Sequence, residues 1–272
     1  MNRDYRRILI AFQFLTIIPL KVKGDISETE IRESSAFFPL VGAFQGAVLV
    51  TANFILVKVF PTELTNSFLV LLLLLTNGGF HLDALADTFD ALGVKSEGNL
   101  ELDRRRRLSI MKDSTIGPIG VTAVVFTLLL KFLALNNLSH ISVFIFYFSL
   151  FMMPILPKWT MVVSMAQGKP AREDGLGRIF INRIGPKELA ISTLLLLFIL
   201  VLLKVIFTRY TLNILYIFYG ALLIMLYLFS LTYVSFFNRK FGGLTGDTVG
   251  AMSEITEVVF LLLVIVWSRL ST

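Results

Sequence analysis

The sequence predicts an all-α, polytopic integral membrane protein with about seven transmembrane helices, between six and eight, plus a short N-terminal interfacial or re-entrant helix. Three observations predict it. Of the 272 residues 56% are hydrophobic and only 16% charged, and mean hydropathy is +0.78, whereas soluble domains carry about a quarter charged residues. Seven windows reach or approach the ~20 apolar residues that cross a bilayer as a helix: roughly 38–60, 66–86, 117–138, 141–166, 188–207, 212–236 and 249–268. Charge, finally, is sorted between the connecting segments. Nineteen of the 25 Lys and Arg fall in 1–37, 89–115, 167–187 and 237–248, while the intervening connections hold only Arg209 and Arg269. The positive-inside rule makes the basic set cytoplasmic.

The first apolar stretch, Ile8 to Leu20, is short for a span and is expected to lie at the interface, ending near Pro19. No cleavable signal is expected, because no small-residue site follows it. The second span runs through "FLVLLLLL" into "NGGFHLDALADTFDAL" (Asn77–Leu92), which places three aspartates just past a hydrocarbon-like run. The longest polar excursions are 93–115, with "RRRR" at 104–107, and 167–187, "QGKPAREDGLGRIFINRIGPK". With no internal repeat, the chain reads as a single domain over 1–272. A net charge of +6 distributed this way needs no nucleic-acid partner.

Composition also excludes chemistry. Without cysteine there is no disulfide, thiolate metal site or cysteine nucleophile, and two histidines are too few for a His-rich zinc or haem centre. What remains is carboxylate. At about 100° per residue, Asp87 lies about 40° from Asp83 and Asp90 about 20° away on the other side, so a helix shows all three on one face. His81 falls on the opposite side. The ordinary alternative is a solvated acidic helix end, yet no Lys or Arg lies within the stretch to relieve three like charges, and a divalent cation would.

A second cluster occupies "FGGLTGDTVGAMSEITE" (Phe241–Glu257). Gly243, Gly250 and Glu254 fall within about 60° of Asp247, with Glu257 at the edge. Glycines on that face permit close approach by a helix, a metal or a phosphate; a glycine packing seam is the alternative. Thr245 and Gly246 belong to the same turn, which is no P-loop because the Lys-Ser/Thr pair is missing. The third cluster, "MKDSTIGPIG" (Met111–Gly120), holds Asp113 beside Lys112 and Ser114, with the preceding arginines as phosphate partners or as topology determinants. All three clusters arrive at the cytoplasmic end. Hard oxygen ligands favour Mg²⁺, or Mn²⁺, shared with a phosphorylated substrate.

Five ordered stretches, "FPLVGAFQG" (38–46), "GGFHLDALADTFDAL" (78–92), "IMKDSTIGPIG" (110–120), "AREDGLGRIFI" (171–181) and "GGLTGDTVGAMSEITE" (242–257), together resemble the adenosylcobinamide-GDP ribazoletransferase family, also called cobalamin 5′-phosphate synthase. The resemblance covers nearly the whole chain. It implies a Mg²⁺-dependent enzyme of the cytoplasmic (inner) membrane with its active site on the cytoplasmic side. Such an enzyme joins α-ribazole, or its 5′-phosphate, to adenosylcobinamide-GDP, releases GMP, and has other membrane-bound cobalamin-pathway enzymes as partners. Ala84 and Ala91 stand where glycine commonly follows the aspartate, and Thr115 where arginine is frequent. On this reading Asp83, Asp87, Asp90, Asp247 and Glu254 are the expected metal ligands, with Asp113 close behind. His81 or an aspartate is the expected base. Arg105, Arg106, Lys112, Ser114, Arg172, Arg178, Gly243, Thr245 and Gly246 are the expected substrate contacts. Oligomeric state stays open.

Two other functions share some of these features. A CDP-alcohol phosphotransferase also sets aspartates on membrane helices, but its signature places "DG" and "AR" ahead of "GxxxDxxxD", an order "DALADTFDA" lacks. A cation transporter more often places carboxylates at the bilayer midplane on broken helices.

Overall fold

The computed structural model describes residues 3–113, 115–206 and 214–270. Among these it contains thirteen α-helices and no strand beyond one isolated bridge. Six helices or helix pairs are long and apolar enough to cross a membrane, and the number is seven only if the bent pair of residues 62–76 and 80–92 counts as one span. The count falls within the expected range of six to eight, and the departures are local.

The N-terminal helix α1 (Arg3–Leu15) begins and ends earlier than expected, stopping short of Pro19. It buries Ile10, Ala11 and Leu15 and is held by ion pairs to α2 (Glu28–Ser34), Arg6 to Glu30 at 2.6 Å and Arg7 to Glu33. A capping box starts α2: Ser27 accepts from the N–H of Glu30, whose carboxylate accepts from the N–H of Ser27. The chain then passes into α3 (Phe38–Leu56). Gly42 and Gly46, one turn apart on α3, let its backbone lie against the kinked span formed by α8 (Val143–Met152) and α9 (Ile155–Gln167). A Cβ at Gly42 would stand 2.6 Å from the Pro154 carbonyl, and one at Gly46 would strike the Phe151 carbonyl. This is small-xxx-small packing between membrane helices.

The main departure lies in the second span. Instead of one helix over 66–86, α4 (Thr62–Thr76) stops and α5 (Phe80–Leu92) leaves at 88° to it. The corner is Asn77-Gly78-Gly79, with φ of +67° and +76° at the two glycines, a left-handed conformation that other residues rarely adopt. Three aspartates are thus carried across the end of the bundle, not into its apolar length.

After the basic helix α6 (Leu100–Ile110) come the spans α7 (Pro118–Ile141), α8–α9, α11 (Pro186–Ile206), α12 (Ile214–Phe241) and α13 (Gly246–Leu270), with the short α10 (Gly177–Phe180) between α9 and α11. Two of the four arginines of α6 serve α12: Arg104 donates to the carbonyls of Asn238 and Arg239, and Arg107 to that of Lys240 at 3.0 Å. They satisfy carbonyls that the end of a helix leaves without partners.

Candidate active site

α5, α9, α10, α13 and the 168–176 connection meet α1 around a cleft of about 530 Å³. By the up-and-down order of the spans it lies at the end of the bundle that carries α6 and the basic connections. Asp83, Arg172, Arg178 and Asp247 line it, with Thr245 and Gly246 at the turn into α13. That turn is self-capped: Thr245 Oγ1 accepts from the N–H of Thr248 at 3.1 Å, and Thr248 Oγ1 accepts from the N–H of Thr245 at 2.9 Å. The N-terminus of a 25-residue helix, with its partial positive charge, therefore opens beside the cleft.

α5 and α13 cross where both side chains are small. A Cβ at Gly250 would stand 2.7 Å from that of Ala84, so the glycine lets the two acidic helices touch. Asp87 lies within Coulombic range of Asp83, Asp247 and Asp90. Arg172 approaches this group, 3.3 Å from Asp247. Asp174, a cleft residue that the motif reading passed over, extends the chain of charge, 3.4 Å from Arg172 and 2.6 Å from Lys112. The Lys112 ammonium holds the Asp174 carboxyl below its ordinary range. Among the described residues no three His, Asp or Glu side chains stand close enough together to hold a metal ion.

Other expected site residues have different places. Asp90 accepts from the N–H groups of Gly117 at 2.7 Å and Gly120 at 2.8 Å. It caps the start of α7 from a neighbouring helix, where Gly117 at the N-cap position has no side chain to do so. A Cβ at either glycine would press on that carboxylate, which gives "IGPIG" its reason. The expectation of Asp90 as a metal ligand is corrected on this ground. Glu254 is corrected likewise. It sits two turns into α13, buried, and Lys131 of α7 bridges it to the equally buried Glu257. Asp113 closes its own turn, accepting from the hydroxyl and N–H of Thr115 at 2.8 and 3.0 Å, bonds that keep its carboxyl below the ordinary range. Asp113 does not line the cleft.

Gly243 is also structural. A Cβ there would strike the Lys169 carbonyl, at the point where Leu244 and the 169–171 segment exchange backbone bonds of 2.7 and 2.8 Å. Arg105 is exposed on α6 away from the cleft, and Arg106 pairs with Glu97. Arg178 lines the cleft while pairing with Glu28 at 2.9 Å. Ser114 lies outside the described residues.

His81 is buried beside the cleft, with Nδ1 3.5 Å from the Lys158 ammonium, which also donates to Ser253 at 3.2 Å. Lys131, Lys158, Glu254 and Glu257 form a buried group of two lysines and two glutamates, joined to the cleft through the contact of Lys158 with His81. Its cations come from spans remote in sequence, so no local motif announces the group.

Fold and cleft together define the class: a polytopic α-helical membrane protein with a carboxylate- and guanidinium-lined cleft at one end of its bundle. The profile of the cobalamin-5-phosphate synthase family matches residues 7–265. A protein of Thermodesulfovibrio yellowstonii named adenosylcobinamide-GDP ribazoletransferase is 40% identical over 266 residues, 97% of each chain. Proteins of the same name are 35% identical in Alkaliphilus metalliredigens, over 97% of each chain, and 32% identical in Clostridium tetani, over 93% of this chain and 94% of that one. No solved structure matches this chain. The chain belongs to the cobalamin-5-phosphate synthase family and is a transferase of cobalamin synthesis.

Proposed function

We propose that this protein joins α-ribazole, or α-ribazole 5′-phosphate, to adenosylcobinamide-GDP and releases GMP, in a cleft facing the cytoplasm at the inner membrane. The observation that carries this reading is the convergence of Asp83 of α5 and Asp247 of α13 with Arg172 and the N-terminus of α13 in one cleft, with Asp87, which does not itself line the cleft, within Coulombic range of both carboxylates. That combination suits a polyphosphate, and the names of the relatives specify which one.

The donor set fits Mg²⁺ or Mn²⁺. It is all oxygen, and the like charges of Asp83, Asp87 and Asp247 crowd together with a single close guanidinium to offset them. These three residues would hold the metal, which would neutralise charge on the diphosphate and on the leaving GMP. The acceptor's 3′-hydroxyl forms the new bond to the cobinamide-proximal phosphorus as the bond to the GMP oxygen breaks. Arg172 and the α13 N-terminus orient the equatorial oxygens. Lys112 reaches the cleft only through Asp174 and so acts on the position of Arg172.

An ammonium can only donate, so the Nδ1 of His81 accepts from Lys158 and the ring's own proton sits on Nε2. His81 then offers the cleft a donor, and the hydroxyl proton passes to the carboxylate cluster. The test is Asp83→Asn and Asp247→Asn in purified protein. Each is expected to lower GMP release at least a hundredfold while leaving the melting midpoint in place. Near-parental turnover by either well-folded variant would remove that residue from the site.

A further inference from the structure

A groove of about 620 Å³ lies at the end of the bundle opposite the cleft, where α3 and α11 end and α8 begins. Val50 and Phe54 of α3, Tyr147 and Phe151 of α8 and Leu203 of α11 line it, with Ser142 and Val143 at the start of α8. From Val143 to Phe151 the lining runs about 12 Å by the helical rise, close to the ~15 Å that one leaflet gives the hydrocarbon core. The residues around it are apolar and exposed, Val143 at 70% and Val205 at 65%, so hydrocarbon reaches it and water does not.

Two polar features interrupt this setting. The Asn53 amide donates to the Tyr147 hydroxyl oxygen at 2.9 Å, which leaves the phenol's own proton with no acceptor among the described residues. An unpaired hydroxyl in hydrocarbon is costly. The other is Lys58. The N–H of Val57 still bonds to the Asn53 carbonyl at 3.0 Å, and that of Phe60 to the Leu56 carbonyl at 2.8 Å. The chain therefore keeps its helical course past α3, and Val50, Phe54 and Lys58, four residues apart, share one ridge. Among the described residues at this end, Lys58, Lys204 and Arg269 outnumber one acid, Glu63, an excess the positive-inside rule does not explain.

We propose that this groove binds one diacyl phospholipid from the leaflet opposite the cleft. One acyl chain lies between α3, α8 and α11, an ester carbonyl accepts from the Tyr147 hydroxyl, and the phosphate meets Lys58. The chain has no polar group to leave unpaired among aromatic and aliphatic side chains. Lys58 extends its apolar stem along the ridge and places its ammonium at headgroup level. A second copy of this chain docked symmetrically on the same face would bring another Lys58 and no anion, because Glu63 belongs to α4, which does not line the groove. The lipid bridges α3 and α8, and so stabilises the bundle without touching the cleft.

The test uses the full-length protein, delipidated in detergent and titrated with phosphatidylglycerol while native mass spectrometry counts bound lipid. One lipid is expected to saturate the parent at least tenfold more tightly than any later one. Lys58→Glu and Val143→Glu each set a negative charge beside the phosphate. Both positions are exposed, and a carboxylate suits the first turn of α8, so both variants should fold. Each should weaken the first lipid at least tenfold, and Lys58→Arg should keep it. Because the lipid binds only the folded chain, phosphatidylglycerol should raise the melting midpoint of the parent and not of the Glu variants. Diacylglycerol with the same chains should bind at least tenfold more weakly. In vesicles, a phospholipid with a photoreactive acyl chain should label α8 and the end of α11 above the other lipid-facing spans. Labelling spread evenly over α7, α11 and α12, equal binding by diacylglycerol, or unchanged affinity in both Glu variants would overturn the site. So would a dimer that forms in place of the lipid complex and is lost in Val143→Glu.

Discussion

Asp90 separates a structural carboxylate from a catalytic one, and Asp90→Asn measures the difference. Its two oxygens accept from the N–H groups of Gly117 and Gly120 at 2.7 and 2.8 Å. Asparagine keeps one carbonyl oxygen and turns an NH₂ towards the other N–H. One charge-assisted bond, worth about 1.5–3 kcal/mol, is lost, and the other weakens to a neutral bond of about 1 kcal/mol. Because the carboxylate is only partly buried, about 2–3 kcal/mol is a fair total. For a domain of this size each kcal/mol moves the midpoint by about 2–4 °C, so melting in detergent should fall by about 4–12 °C. Turnover at low temperature and its metal-concentration dependence should stay within about threefold of the parent. A variant that melts like the parent but needs far more metal would refute the cap and restore Asp90 as a ligand.

Gly250→Ala places a methyl 2.7 Å from the Ala84 Cβ. Overpacking of this kind costs about 1–3 kcal/mol, and parting α5 from α13 should cut GMP release at least tenfold; adding Ala84→Gly should restore most of it. Lys131→Met strips the buried Glu254 and Glu257 of the cation between them and should cost about 3–5 kcal/mol, seen in thermal melting. Adding Glu254→Gln and Glu257→Gln should recover much of that, and a single variant as stable as the parent would deny that the cluster is charged. Lys112 depresses the Asp174 carboxyl below its ordinary 3.8. The bridge therefore contributes fully above that pH and is lost as pH falls through the lower, folded value. The difference in melting midpoint between parent and Asp174→Asn should stay constant from pH 8 to 5 and close only below about pH 4.

Hydrophobic windows and the Lys/Arg asymmetry fixed the number of spans and grouped the acidic clusters at one end, because both signals are local and strong. The corner at Gly78–Gly79 was not visible in the same way. A helical periodicity count tolerates a glycine, and only the left-handed φ of two in succession turns tolerance into an 88° bend. Asp83 and Asp87 were legible as neighbours because one helix puts both on one face, and Asp247 joins them only where α13 crosses α5 at Gly250 and Ala84. Asp90 shares that face in projection, yet its partners are backbone N–H groups of another helix, which no side-chain pattern encodes. Glu254 looked like a ligand for a similar reason: the lysine that claims it stands 123 residues earlier. Arg172 was found through its motif, while Asp174, two residues on, gains meaning only when the loop folds back on Lys112.

GMP release by the detergent-purified protein tests the central claim most directly. Adenosylcobinamide-GDP would be supplied with and without α-ribazole 5′-phosphate and with and without Mg²⁺. Release is expected only when donor, acceptor and metal are all present, with one corrinoid product formed per GMP. Release that is indifferent to the acceptor would reveal a hydrolase, and no release by protein shown to be folded would contradict the proposed reaction outright.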